Sequence, residues 1–489
     1  MPANEGLKIK DSLLKELRSR SPFIDNVYQS SNSVDCGASR ILFQINFEHL
    51  IKELFADLGA ISNDCSSQAK DNIDEDFRKT IIVEYSSPNI AKPFHVGNLR
   101  SAIIGNCVAN VLQFRGHNVI RMNYLGDWGT QFGILSLAYD RFGSESLLQA
   151  EPLKHLFDVY VKGNQEIEKN TEWRDAAKER FTRLESQADP ATFEQWARFR
   201  ELSLQELKSL YQRLGITFDV YSSESMYTRA SLNIVEQLKN RGLVEQSEDG
   251  ALLATTPSFD NPNLPISVPL LKSDGSTLYL TRDLAAAVDR KEQYNFDRMY
   301  YVVDSSQAKH FWNLKSILNA MGNNIYRDMK HLKFGRIVGM STRRGNAIFL
   351  DDVLNEAKER ALSAIKSSPN TKISPEQYES VADKLGVSAI VVNDLSNRRV
   401  REYRFNWDKA LRLTGDTGIS LQYTHARLCN LELNCGVELS PNCDIDVAAI
   451  DTAEGRMLIN LLAMFDQVIE RTAEELEPSL LAHYLFDLK

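Results

Sequence analysis

The chain has 489 residues, 43% of them hydrophobic and 25% charged, with a formal net charge of −9. That length and apolar content suit a soluble protein of about three or four domains with sizeable cores. The acidic balance gives no global pull toward nucleic acid, so any such face must be a local basic patch. No run reaches the ~18 apolar residues of a membrane span. The six cysteines form no CxxC pair, so neither a zinc site nor a disulfide framework is indicated, and a reducing compartment fits.

Residues 1–76 read as a small α+β module. "ILFQINFEHLIKELFADLG" is strand-like, then an amphipathic helix, and "ISNDCSSQAKDNIDED" is linker-like. The first six residues hold Glu5 and no arginine, a poor start for a transit peptide or a secretory signal. Next, "TIIVEY" predicts a short buried parallel strand. Ile104, Val108, Val111 and Leu112 predict a helix from Val96 to Gln113, and "NVIRMNYLGDWG" a strand with a glycine-punctuated loop. Strand, helix and strand in that order predict a right-handed βαβ unit of a doubly wound sheet. From about 135 to 265 the chain reads as helical and charged, too long for a loop and therefore an inserted subdomain. A second α/β stretch follows: "STLYLTRDLAAAVDR" and "FDRMYYVVDSSQAKHFWNLKSIL", each strand then helix, and the strand "HLKFGRIVG". Beyond Asp352 helices are expected at about 352–366, 375–396, 406–413, 417–434 and 451–473.

The chemistry gathers at "EYSSPNIAKPFHVGN". Ligands of open α/β sheets bind beyond the carboxyl ends of the strands. A helix starting near Val96 would turn its N–H groups and positive dipole end toward phosphate oxygens there. His95 and Asn98 are donors one helical turn apart, Gly97 leaves room for a flat ring, and Lys92 adds a point charge. Together they describe a nucleotide triphosphate site without a P-loop. The plainer alternative is that His95 only caps a helix.

"HVGN" resembles the HIGH signature of class I aminoacyl-tRNA synthetases. "VEYSSPNIAKPFHVGNLRSAIIGN" and "VIRMNYLGDWGTQFG" resemble arginyl-tRNA synthetases, as do "TLYLTRDLAAAVDR", "VDSSQAKHF", "GMSTRRGNAIFLDDVL" and "TGDTGISLQYTHARL". The likeness runs from about residue 80 to 430. "PLKHLFDVYVKGN" and "DRKEQYNFDRMYYV" are most similar to the metazoan mitochondrial branch. The resemblance implies a Rossmann-like parallel-sheet catalytic domain (77–352) carrying the helical insertion, a helical stem (353–415) and part of an α-helical anticodon-binding domain (416–489). Residues 1–76 would be a shortened form of the family's tRNA-elbow module. The implied reaction joins L-arginine to tRNA(Arg) through arginyl-adenylate, with ATP and Mg²⁺ as a substrate complex and no structural metal. A monomer without membrane attachment is implied, in the mitochondrial matrix, with the cytoplasm as the alternative.

By resemblance, Glu84 and Asp283 hold the substrate guanidinium, with Tyr279 beside them, and Asn89 and Gln307 bind its amino-acid end. Arginine is a permanently charged fork, so a selective pocket needs carboxylates that meet it. Lys92, His95 and Asn98 would assist activation, and His95, Gly97, Asn98, His310, Met340, Ser341 and Arg343 would bind ATP. The sequence departs from the family's motifs at Asn98, where a second histidine is usual, and in "GMSTR", which stands for KMSKS without its lysines. Lys92 is expected to supply the missing charge. For tRNA, Tyr423 and Arg427 sit four apart on one predicted helix, and Phe43 and Gln44 lie in the N-terminal module. The basic cluster "NRRVREYR" is either a tRNA contact or a solvated face. The chain ends midway through the family's helical bundle, which leaves a truncated form that binds arginine and ATP without charging tRNA as the alternative function.

Overall fold

The computed structural model describes residues 16, 21, 23–30, 40–62, 78–92, 94–186, 188–342, 345–346, 349–369, 371–436 and 446–489. They form two compact units. One comprises Met1–Ile73, Leu428–Val468 and Leu488, the other Asp74–Arg427, Ile469–Asp487 and Lys489.

The smaller unit opens with an antiparallel hairpin, β1 (Ile24–Ser30) and β2 (Arg40–Ile45), followed by α1 (Phe47–Ser62). The expected strand and helix are β2 and α1. Strand β1 has no counterpart in the sequence reading.

The larger unit begins with β3 (Thr80–Glu84), α2 (Val96–Phe114) and β4 (Asn118–Leu125). Helices α3 (Thr130–Phe142), α4 (Glu145–Ala150), α5 (Pro152–Lys169), α6 (Thr171–Glu185) and α7 (Pro190–Arg213) follow. Then come β5 (Val220–Ser223), α8 (Thr228–Asn240) and an antiparallel sheet of β6 (Val244–Gln246), β7 (Leu252–Pro257) and β8 (Pro265–Leu271). The stretch from 135 to 265 is therefore not uniformly helical. It contains β5, an edge strand of the main sheet, and β6 and β7, two strands of the separate three-stranded sheet. Strand β5 is only four residues long, and β7 and β8 carry prolines, so neither stands out against the helices before them.

Helix α9 (Tyr279–Tyr294), β9 (Arg298–Tyr301), α10 (Ala308–Ala320) and β10 (Met329–His331) complete the sheet, in the all-parallel order β10-β9-β3-β4-β5. The expected strand in "STLYL" is instead the start of α9. Leu280, Leu284, Ala285 and Ala287 are all buried, and that helical stripe outweighs a short β-prone run. Beyond the sheet lie the two-residue strands β11 (Ile337–Val338), β12 (Ser341–Thr342) and β13 (Gly345–Asn346), then α11 (Leu350–Ser367) and α12 (Tyr378–Leu395). Strand β14 (Tyr403–Arg404) pairs with β11 and precedes α13 (Trp407–Ala410), a single turn where eight helical residues were expected. Helix α14 (Gly418–Asn434) and α15 (Val447–Ile450) follow. The expected helix at 451–473 is two, α16 (Ala453–Ala463) and α17 (Phe465–Glu475), and α18 (Ser479–Leu488) comes after them.

Side chains of β3 alternate between two cores, as the two-residue period of a strand requires. Ile81 and Val83 join α2, whereas Ile82 faces Met122, Met299 and the buried stripe of α9. Helix α2 lies close to the sheet because Gly105 has no side chain: a Cβ there would come within 2.3 Å of the Tyr85 side chain.

Candidate active site

Strand β3 is flanked by β4, reached through α2, and by β9 on its other side. The crossovers diverge between β3 and β9, and crevices open at such switch points. A cavity of about 530 Å³ lies there. Ser86 and Ser87 line it from beyond β3, Val302 to Asp304 from beyond β9, and His95, Gly97 and Asn98 from the mouth of α2.

Two consecutive serines after β3 have left-handed backbones, with φ of 69° at Ser86 and 43° at Ser87. Such strain persists where surrounding bonds fix it. Ser86 N–H donates to Ser101 Oγ at 2.8 Å, its hydroxyl shares a 2.7 Å bond with Tyr211, and its carbonyl accepts from Asn98 Nδ2 at 3.0 Å.

The helix mouth caps itself. Gly97 N–H donates to His95 Nδ1 at 3.0 Å, and His95 N–H donates to Asn98 Oδ1 at 3.3 Å. The N–H groups expected to be free for phosphate are thus partly taken up, and the Asn98 donor is spent on the Ser86 carbonyl. A neutral imidazole that accepts at Nδ1 carries its proton on Nε2, which is then a donor. Desolvation, reinforced by the charge of Lys92, lowers the pKa of His95 and favours that neutral form. Gly97 is needed for this geometry, since a Cβ would sit 2.8 Å from His95 Cε1. Lys92 lies exposed in the preceding turn.

A second cluster lies on the other face of β3. Glu84 is 4% exposed, and its Oε2 accepts from Arg290 Nη1 at 2.5 Å. Asp283, one turn into α9, has its Oδ2 2.7 Å from His310 Nε2, and the Tyr279 ring lies 5.0 Å from the imidazole. His310, expected among the ATP groups, is therefore brought to the Asp283 side. Glu224 forms a third carboxylate and accepts from Arg282 Nη2 at 2.8 Å. Burial pushes the carboxyl of Glu224 up to about 7, with Asp283 adding to the rise and Arg282 opposing it. Glu84 is raised too, by burial first, with Arg290 pulling it back and Asp283 pushing it further.

Among the other expected residues, Gln307 lines the cavity. Asn89 bridges to Gly126 through its backbone and accepts from Ala91 N–H at 3.0 Å. Met340 is buried, and Ser341 pairs with Asn346 in the β12–β13 hairpin. Arg343 lies outside the described residues. Tyr423 is 61% exposed, and the Arg427 guanidinium lies 5.8 Å from its ring. Phe43 and Gln44 are exposed on β2 of the smaller unit.

Sequence reasoning missed Arg100, Arg282, Arg290 and the two strained serines. Arg100 is fully buried. Its guanidinium donates to the carbonyls of Gly335, Arg401 and Arg398, and its Nε lies 3.1 Å from Asp394 Oδ1. It thereby ties α2 to the "NRRVREYR" loop, where Arg398, Arg401 and Arg404 are exposed and Arg399 is bonded within the fold. The signal for Arg290 was present in "DLAAAVDR": an arginine seven residues after Asp283 shares its helix face.

A family model described as tRNA synthetases class I (R), catalytic domain, matches residues 60–407, and the DALR anticodon binding domain matches 421–489. The chain is 40% identical over 460 residues to a probable mitochondrial arginine–tRNA ligase of Mus musculus, covering 93% of this chain and 78% of that protein. It is also 40% identical over 434 residues to a probable cytoplasmic arginine–tRNA ligase of Dictyostelium discoideum, covering 84% and 72%. In fold it is similar to the arginyl-tRNA synthetase from Plasmodium falciparum, with a TM-score of 0.75 at 24% identity over 98% of this chain and 80% of that one. A parallel sheet with its crevice at the β3–β9 switch point and matches spanning both the catalytic and the anticodon regions have one reading: the chain belongs to the arginyl-tRNA synthetase family of class I aminoacyl-tRNA synthetases.

Proposed function

We propose that the chain is an arginine–tRNA ligase whose two half-sites are the two faces of β3. In the first step the arginine carboxylate attacks the α-phosphorus of ATP, forming arginyl-adenylate and releasing pyrophosphate. In the second, a hydroxyl of the terminal ribose of tRNA(Arg) attacks the arginyl carbonyl and AMP leaves. Neither step needs a nucleophilic side chain. The protein's task is to position the reactants and stabilise charge.

The observation that carries the reading is adjacency. A cavity that holds the His95 and Gly97 helix mouth and a row of carboxylates, Glu84 buried and Asp283 half-buried, meet at the carboxyl edge of one sheet. In this reading His95, Gly97 and Asn98 shape the ATP side together with Lys92, Met340, Ser341 and Arg343, and Mg²⁺ enters on ATP, held by phosphate oxygens and water. Glu84, Asn89, Tyr279, Asp283 and Gln307 take arginine, and His310 serves them through Asp283. Tyr423 and Arg427, and separately Phe43 and Gln44, are the tRNA contacts.

We further read the protein as a monomer. No described helix is long and apolar enough to cross a membrane. Relatives named mitochondrial and cytoplasmic are similarly close. We favour the mitochondrial matrix, and cell fractionation separates the two. The central test is attachment of labelled arginine to tRNA(Arg) by the purified chain with ATP and Mg²⁺, beside Asp283→Asn. Charging that the variant loses is the expected result. Activation of a different amino acid in preference to arginine would overturn the reading.

A further inference from the structure

We propose that Arg290 is a positioning residue for arginine recognition, holding the buried Glu84 carboxylate charged and oriented so that Glu84 and Asp283 together receive the substrate guanidinium. This rests on the function proposed above and deepens it.

Arg290 is 1% exposed and lies two helical turns beyond Asp283 on the same face of α9. Its guanidinium sits 4.7 Å from the Tyr124 ring centre and bonds Glu84 through Nη1. The Arg290 bond fixes the direction in which Glu84 presents its charge. Without a cation beside it, burial would favour the neutral acid, which draws a guanidinium far less.

The charges around this point do not balance. The carboxylates of Glu84, Glu224 and Asp283 act on one another. Arg290 answers Glu84 and Arg282 answers Glu224, while Asp283 has only the His310 imidazole among the contacts described. The row is one permanent cation short. A guest guanidinium between Asp283 and Glu84 would complete an alternating sequence that ends on Arg290. Buried charges are stable when such a row closes and costly when it does not.

The test compares the full-length wild type with Arg290→Met, Arg290→Lys and the double variant Glu84→Gln/Arg290→Met. Arginine binding is read by calorimetry, and the KM values for arginine and ATP by tRNA charging, with citrulline as a neutral competitor. Arg290→Met is expected to weaken arginine by about tenfold or more. The ATP KM should stay in place and the preference over citrulline should narrow. Arg290→Lys should recover part of the loss. The double variant should be no worse than Arg290→Met, because residues acting as one unit are not additive. Unchanged arginine affinity in Arg290→Met would overturn the proposal, as would equal rises in both KM values with a falling Tm, which would mark a purely structural pair. If Arg290→Met does not fold, Arg290→Lys carries the same comparison of the two KM values. A wild type that binds arginine without charging tRNA would sink the function while the calorimetry still decides the role of Arg290. A wild type that does not bind arginine would overturn both.

Discussion

The two faces of β3 build their half-sites by different physics. Toward α2 the helix mouth of the cavity is made from serines, a glycine, an amide and an imidazole tied to one another by short-range hydrogen bonds, with Arg100, Asp304 and Arg336 further along its wall. Toward α9 the pocket is made from carboxylates, with the buried Glu84–Arg290 pair spanning sheet and helix and the Glu224–Arg282 and Asp283–His310 contacts beside it. A triphosphate brings its own charge and counter-ion, so its cradle needs direction more than charge. A guanidinium must be told from neutral side chains of the same shape, and only carboxylates do that strongly. The comparison predicts unequal sensitivity. Asp283→Asn keeps shape and removes charge, and should lower kcat/KM for arginine by about a hundredfold or more, the range expected for a lost charge-assisted contact. The ATP KM should be nearly unchanged. Equal loss for both substrates would mean that the two halves are one site and the contrast is false.

Buried charge also occurs behind α2, where it serves another purpose. Arg100 and Asp394 join the α2 helix to α12, and Tyr403 donates to the same Asp394 oxygen at 2.8 Å. Burial pushes the carboxyl of Asp394 from near 3.8 up to about 6, with Arg100 and Tyr403 opposing the rise. A carboxyl that holds its proton more tightly in the folded state stabilises the fold below its unfolded pKa. It loses that contribution as pH rises through the folded value. Asp394→Asn cannot ionise. Its stability relative to wild type should therefore improve between about pH 4 and about pH 7, by at most about 3 kcal/mol at ~1.4 kcal/mol per pKa unit. Denaturant unfolding across that range reads the slope. A slope of the opposite sign would show that Arg100 holds Asp394 ionised in spite of its burial.

The contrast between the faces was only half legible in the sequence. "TIIVEY" and the stripe Ile104, Val108, Val111, Leu112 gave the strand and helix of the α2 side, because period and β-branching are local properties. "HVGN" marked the helix mouth, but not that its side chains would bond each other. Capping depends on backbone angles at His95, which residue types alone do not set. Across β3 the reading was poorer. The pattern of "STLYLTRDLAAAVDR" predicts strand then helix, whereas Tyr279 already opens α9 and Asp283 lies within it. The partner of Glu84 is 206 residues away in the chain, so no window of sequence contains the pair. The resemblance named the residues expected to meet substrate. It was silent on Arg290, Arg282 and Arg100, which hold the charges and the helix around that site. Strand β5 was missed for a related reason. Four residues carry too little pattern, and it is their pairing with β4 that makes them a strand.

The gentlest probe of the comparison is one methyl group. Ala at position 97 would place a Cβ 2.8 Å from His95 Cε1 and 3.0 Å from Nδ1, closer than real contacts allow. The imidazole is the free end of its side chain, so it turns away. In doing so it gives up the bond from the residue 97 N–H and redirects the Nε2 donor. The helix itself loses little, because alanine is a better helix former than glycine by up to ~1 kcal/mol, roughly what a cap is worth. Gly97→Ala should therefore leave Tm within about 1 °C of wild type, since the two effects nearly cancel. The ATP KM should rise by about fivefold, the size of one neutral hydrogen bond. Calorimetric arginine affinity should stay unchanged, because no charge on the α9 side is touched. If arginine affinity fell together with that for ATP, a displaced neutral ring would be acting through β3 on the carboxylate row, and the two faces would have to be treated as one coupled layer.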